Sequence, residues 1–380
     1  MADPHPPHNQ PLRSVHTNNF PQILGQFGIS LAVSTYQAGH LIIMRNDADS
    51  LNTHFRRFNR PMGMATAPGR LALGTGREVW TYRNVPDVAK KLEPSGKYDA
   101  CYIPRDIHVT GDIDIHEMAW DAEGELWLVN TKFSCLCTLD HTHNFIPRWR
   151  PPFVSALYLE DRCHLNGLAM RNGQPKYVTM LGETDSPGGW RKNKQDGGLL
   201  MDIDSNTILV RGLSMPHSPR WYDGKLWLLE SGYGSLAWVD LKTGQVNTIT
   251  KLPGFTRGLD FYGPLAFVGL SQVRESATFS GIPITEELSE RISGVWVVHI
   301  KTGETVAFLR FEAAVQEIFA VEILHARFPE LLEWADDKVA HSYVLPDEAL
   351  ADVKPHPETI ETRKKRLKEA EKKDKQTNSG

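Results

Sequence analysis

A unit made of a short strand, a turn with Gly, Asp or Asn, and a second strand carrying Leu, Trp or Val returns six times along this 380-residue chain. The copies begin at "MGMATAPGRLALGTGREVWTY" (62), "HEMAWDAEGELWLVNTKFSCLCTLD" (116), "NGLAMRNGQPKYVTMLGETD" (166), "HSPRWYDGKLWLLESGYGSLAWVD" (217) and "RGLDFYGPLAFVGLSQVRES" (257). A more degenerate sixth begins at "QEIFAVEILHARFPELLEW" (316). Aligned on Met64, Met118, Leu168, Pro219, Leu259 and Ile318, they lie 54, 50, 51, 40 and 59 residues apart. One such unit cannot bury its apolar face alone, so the copies must stack; at this length each makes a propeller blade of four antiparallel strands. Third and fourth strands are legible in "SLAWVDLKTGQVNTIT" and "SGVWVVHIKTGETVAFLRF", whose Thr-Gly turns place glycine where a hairpin needs a positive φ.

The sixth copy runs out of strands, whereas "ISLAVSTYQAGHLIIMRND" (29 to 47) supplies strands with no first strand of their own. Joining the two closes the ring and leaves no unpaired sheet edge. The expected fold is therefore all-β: a six-bladed β-propeller of four-stranded antiparallel blades over residues 22–345, closed by N-terminal strands, with a seven-bladed ring as the alternative. Residues 1–21, rich in Pro, His and Asn, read as an extended arm. Residues 346–380 read as a charged tail, helical or disordered.

In a propeller the first strand of each blade lines the central channel, so the alignment doubles as a map of a site. Two positions before the aligned residue come Met62, His116, Asn166, His217, Arg257 and Gln316; one position before come Gly63, Glu117, Gly167, Ser218, Gly258 and Glu317. Five of the first six are polar at a depth where packing alone would select apolar side chains. His164, two residues ahead of Asn166, shares its strand parity and points the same way. His116, His164 and His217 come from three consecutive blades and are a suitable set of ligands for a divalent transition metal such as Zn, Fe or Cu. Calcium is the second choice, because it prefers oxygen donors such as Glu117, Asn166 and Glu230.

The loops between second and third strands reach the same face. They bring Tyr36 and Gln37 as substrate contacts, with Asn166, Arg220 and Gln316 from the inner strands. Glu183 and Glu230 occupy matching places in adjacent blades and are candidate bases or hydrogen-bond partners of the histidines. Arg257 is placed to hold a carboxylate, phosphate or oxyanion. The insertion "SPGGWRKNKQDGG" (186 to 198), with Trp190, Arg191, Lys192 and Lys194, reads either as a flexible surface loop or as a lid or anionic-substrate arm over the channel mouth.

Composition narrows the classes. A formal net charge of −4 gives no general reason for binding nucleic acid or an anionic membrane, and no apolar run approaches the roughly 18 residues of a span. The start of the chain shows no basic segment followed by an apolar stretch, so no secretory signal is expected. Cys101, Cys135, Cys137 and Cys163 form no CxxC pair and read as reduced, partly buried thiols of a cytoplasmic protein. There is no GxSxG elbow, Walker loop, dinucleotide fingerprint, HExxH helix or zinc-finger spacing.

The motifs "GISLAVSTYQAGHLIIMR", "RPMGMA", "IHEMAWD", "LWLVNT", "HLNGLAM", "MPHSPRW", "LWLLESGYG" and "FTRGLDF" together resemble an uncharacterised, mostly bacterial family of hypothetical propeller proteins known as a domain of unknown function. The resemblance spans residues 22–345; it implies the propeller and brings no reaction with it. More distantly the architecture is similar to six-bladed lactonases and gluconolactonases and to propeller lyases with a histidine-bound metal. Two functional expectations follow. One is a metal-dependent enzyme, of lyase, hydrolase or oxygenase type, acting on a small molecule or peptide side chain at the channel. The other is a non-catalytic scaffold that binds a peptide or protein on that face. The oligomeric state is left open.

Overall fold

The computed structural model describes residues 12–273, 281–354 and 365. The chain divides into two units, Met1–Val339 and Ala340–Gly380. The first is a six-bladed propeller. Blades one to five run in sequence order from the inside outward, with innermost strands Ile115–Trp120, Leu165–Arg171, Pro216–Tyr222 and Phe255–Tyr262 for blades two to five. Blade one begins with Met64–Ala67, and blade six pairs its innermost strand, Ala320–Leu324, with the N-terminal strand Ser30–Ser34. The ring is thus closed by the N-terminal strands.

Two outer edges carry an extra strand. Ser14–His16 pairs with Thr305–Phe311 of blade five, and Pro329–Leu331 lies parallel to Ala100–Val109 of blade one. Of the stretch 1–21 read as an extended arm, residues 1–11 lie outside the described residues, while 14–16 are a paired strand and Asn19–Phe27 forms a helix whose Phe20 and Leu24 are buried. Pairing satisfies edge N–H and C=O groups that would otherwise need water. In the second unit, Asp347–Asp352 is helical, and the run 363–380 lies outside the described residues except for Lys365.

Apolar side chains fill the spaces between neighbouring blades. Leu226, Leu228 and Ala237 of blade four meet Ala169, Tyr177 and Leu200 of blade three; Trp227 and Leu229 meet Leu259, Val268 and Trp296 of blade five. Each fully buried leucine or tryptophan stabilises the stack by about 1.5–3 kcal/mol. All four cysteines are buried and unpaired. Among the described residues no helix is long and apolar enough to cross a membrane.

Hydroxyls tie the blades together at the end of the channel where the inner strands begin. Ser34 Oγ donates to Met62 O (2.6 Å), Thr131 Oγ1 to Leu165 O (2.6 Å), Ser231 Oγ to Thr256 O (2.5 Å) and Ser271 Oγ to Ile318 O (3.1 Å). Each joins the end of a second strand to the start of the next blade's first strand. At the same depth the inner hairpins are irregular: the register shifts between Leu165 and Gly167, between His217 and Arg220, and between Thr256 and Leu259. Such bulges re-aim side chains and break strict alternation.

Candidate functional site

Where the inner strands begin, a cavity of about 270 Å³ opens into the channel. His116, His164, His217 and Arg257 line it, together with Tyr36 and Gln37. The remaining polar wall is Asp114, Asp161, Glu317, Trp190 and Arg191, and Leu181, Met215, Phe255 and Phe319 make the apolar part.

Each of the three imidazoles is held through its Nδ1. His116 Nδ1 lies 2.8 Å from Thr131 Oγ1 and 3.2 Å from Asp114 O. Thr131 has already given its one hydrogen to Leu165 O, so it accepts from His116, and the imidazole carries its proton on Nδ1. His217 repeats the arrangement one blade pair further on. Its Nδ1 meets Ser231 Oγ at 2.9 Å and Met215 O at 3.0 Å, and Ser231 has spent its hydrogen on Thr256 O. His164 Nδ1 donates to the Asp161 carboxylate at 2.9 and 3.1 Å. Among the described residues no Nε2 of the three makes a hydrogen bond, so that nitrogen of each ring is left unengaged.

His116 and His164 pack edge to face with ring centroids 4.7 Å apart. Burial, with the Arg257 charge and the neighbouring imidazoles adding to it, holds His116 and His217 well below the ordinary histidine range, so both are neutral at pH 7. Among the described residues no three His, Cys, Asp or Glu side chains are closed up to the spacing of a bound ion.

Arg257 is 8% exposed. Its guanidinium lies over Phe319, 3.3 Å from the ring centroid, and Nη1 donates to Glu317 Oε1 at 3.2 Å. Nη2 is buried without a partner. Burial lowers the Arg257 pKa, with Glu317 and Asp114 opposing it, and burial raises those of Asp114 and Glu317. Tyr36 stacks on Phe319, and burial followed by Asp114 and Glu317 raises its phenol.

Five lining residues, Tyr36, Asp114, Asp161, His164 and Met215, have φ between 46° and 55° without being glycine. Left-handed backbone of this kind costs of order 1 kcal/mol or more per residue and collects at sites of function.

The insertion 186–198 is packed against the pocket. Trp190, 2% exposed, stacks against His164 with centroids 4.4 Å apart and donates Nε1–H to Asp161 Oδ2 at 2.9 Å. Arg191 lies over the Trp190 ring and reaches the same oxygen at 3.3 Å. Gly189 permits the fold-back, since a Cβ there would meet Thr184 Oγ1 at 2.2 Å.

Other expected site residues are placed elsewhere. Glu183 is outside the lining and pairs on the surface with Arg211 at 2.8 Å. Glu230 is buried behind the wall, accepting the Ser214 N–H at 3.3 Å, and burial raises its pKa. Asn166 is spent on structure: Nδ2 donates to Pro216 O and Oδ1 accepts from Thr179. Gln316 lies outside the lining, and its carbonyl accepts the Gln272 N–H. Arg220 sits deeper, paired with Glu117 and Glu322, beside a second cavity of about 200 Å³.

Asp114, Asp161 and Phe319 were not singled out from the sequence as site residues, whereas Trp190 belongs to the insertion read as a loop or a lid. For the two aspartates the available signal is a carboxylate shortly before a pocket histidine, in "DIH" and "DRCH".

The fold and this mouth define a six-bladed propeller with a histidine-rich pocket at one end of its channel. Residues 18–332 match the family described as a domain of unknown function (DUF4915), and the chain belongs to that family. No curated protein matches the chain. Among solved structures it is similar to one in a nidogen/laminin complex, at 10% identity and a TM-score of 0.52, covering 79% of this chain and 100% of that one. A protein of unknown function from Bacteroides caccae is another, at 9% identity and a TM-score of 0.47, covering 78% and 99%. The first likeness concerns the fold alone.

Proposed function

We propose that the pocket is the active site of a metal-dependent enzyme acting on a small molecule or peptide side chain, with His116, His164 and His217 as ligands of a divalent transition metal, Zn, Fe or Cu. The observation that carries this reading is the shared arrangement of the three rings: each Nδ1 is engaged by a fixed acceptor and each Nε2 is left without a hydrogen-bond partner among the described residues. Ligating histidines are oriented in this way, the second nitrogen donating to a carboxylate, carbonyl or hydroxyl. Neutral imidazoles are also the form that ligates, so the burial of His116 and His217 favours it. An ion bound there would supply polarisation of a substrate oxygen or a more acidic water.

The chain's own residues do the rest. Trp190 and Phe319 narrow the entrance and displace water, and Asp161 orients His164 while anchoring the insertion. Asp114 and Glu317 take the proton-carrying role expected of Glu183 and Glu230, since they are carboxyls of the wall and burial raises both. The reading includes no nucleic-acid or membrane partner. It places the protein in the cytoplasm, in keeping with four buried, unpaired thiols.

Metal analysis of the purified protein tests the proposal. About one equivalent of Zn, Fe or Cu is expected, falling below a tenth in His116→Ala and His217→Ala. Less than a tenth in the unaltered protein, even after loading, would overturn it in favour of a non-catalytic scaffold.

A further inference from the structure

The orphaned nitrogen of Arg257 says what kind of molecule the pocket takes. A buried guanidinium N–H without an acceptor is costly, more so than a neutral donor, and in a folded protein it calls for a specific explanation. Nη1 is used by Glu317, the plane of the group is covered by Phe319, and Nη2 is left over in a residue that lines the cavity. An oxygen anion is the acceptor that a guanidinium takes best.

Charge selects among anions. The wall carries three carboxylates, Asp114, Asp161 and Glu317, against two guanidiniums, Arg191 and Arg257, and a divalent ion on the histidines would add two positive charges, so the formal charge of the loaded site is 2 + 2 − 3 = +1. That sum matches one monoanionic carboxylate and is poorly matched to a phosphate dianion. Beside the guanidinium, Phe319, Phe255, Leu181 and Met215 offer apolar surface for the rest of the molecule. We infer that the substrate is a small carboxylic acid with an apolar body, its carboxylate held by Arg257 Nη2. The inference rests on the reading of this pocket as a metal-dependent active site.

Benzoate is a suitable probe, with phenyl phosphate and benzyl alcohol as controls that keep the phenyl ring and change the charge of the head group. Titration calorimetry of the zinc-loaded and metal-free protein is expected to show saturable benzoate binding at least tenfold tighter than either control. In Arg257→Lys, which keeps a positive charge and loses the fork, benzoate should bind at least tenfold more weakly while zinc content is unchanged. In Glu317→Gln, which removes the competing negative charge beside Arg257 Nη1, benzoate should bind more tightly. Equal binding of benzoate and benzyl alcohol, tighter binding of phenyl phosphate, or benzoate binding indifferent to both substitutions would overturn the inference. Zinc held by the histidines with no benzoate response would remove the carboxylate and spare the metal. Benzoate bound equally well by a protein that takes up no zinc, and weakened by Arg257→Lys, would remove the metal and uphold the carboxylate.

Discussion

Two levels of the same channel are built from the same six strands and treat their polar groups in opposite ways. At the deeper level Arg220 donates to both oxygens of Glu117, at 3.0 and 3.1 Å, and to Glu322 Oε1 at 3.1 Å, while Glu322 Oε2 accepts from Thr66. Asp260 nearby accepts two backbone N–H groups. Burial works against the charge of Arg220, but Glu117 and Glu322 more than offset it and its pKa is raised. This level is closed on itself and fastens blades two, four and six. At the mouth, three imidazole Nε2 atoms and Arg257 Nη2 have no hydrogen-bond partner among the described residues, and the left-handed residues gather around them. Buried polarity whose partners all lie within the chain is structural; buried polarity left open at a cavity is prepared for a ligand.

The contrast can be broken from either end. The largest effect is expected at the deep level: Arg220→Leu leaves Glu117 and Glu322 buried without their cation, and should cost about 3–5 kcal/mol in urea unfolding. A loss below about 1 kcal/mol would mean that the network is not the fastening described. At the mouth the effect should fall on the ligand instead. Thr131→Val and Asp161→Ala remove the acceptors behind His116 and His164, and each should weaken zinc about 10–100-fold in chelator competition while shifting the unfolding midpoint far less than Arg220→Leu does.

The smallest effect is on pH dependence. His116 and His217 titrate in the folded chain well below their unfolded value near 6.5, so as pH falls through that value only the unfolded chain gains their protons. Stability of the metal-free protein should then drop between about pH 6.5 and 5.5, each imidazole contributing up to about 1.4 kcal/mol per pH unit. Glu117 and Glu322, raised by burial, act with the opposite sign: what they contribute is present below their unfolded values near 4.3 and is lost as pH rises through the folded ones. Comparison with His217→Gln isolates the histidine part, which should flatten the slope by one imidazole's share. An unchanged slope would mean that His217 is not held neutral.

Period and turn chemistry were enough to read the blades, their number and the closure by N-terminal strands, because each repeat must bury the same face. They were not enough at the mouth. Strict alternation put Asn166 in the site with His164, but the bulge between Leu165 and Gly167 separates them, and Asn166 turns to Pro216 and Thr179. Glu183 and Glu230 match in sequence, yet Gly182 and the insertion carry Glu183 outward to Arg211 while Glu230 turns to a backbone N–H. Trp190 was legible only as part of a Gly-rich insertion, loop or lid, because its packing on His164 depends on how that loop folds back. Ser14–His16 was hidden by the polar sequence of an edge strand three residues long.

X-ray absorption of the zinc-loaded protein tests the central claim most directly. The account predicts three imidazole nitrogens at about 2.0–2.1 Å, one of them lost in each of His116→Ala, His164→Ala and His217→Ala. A shell of oxygen alone, unchanged by these substitutions, would contradict it.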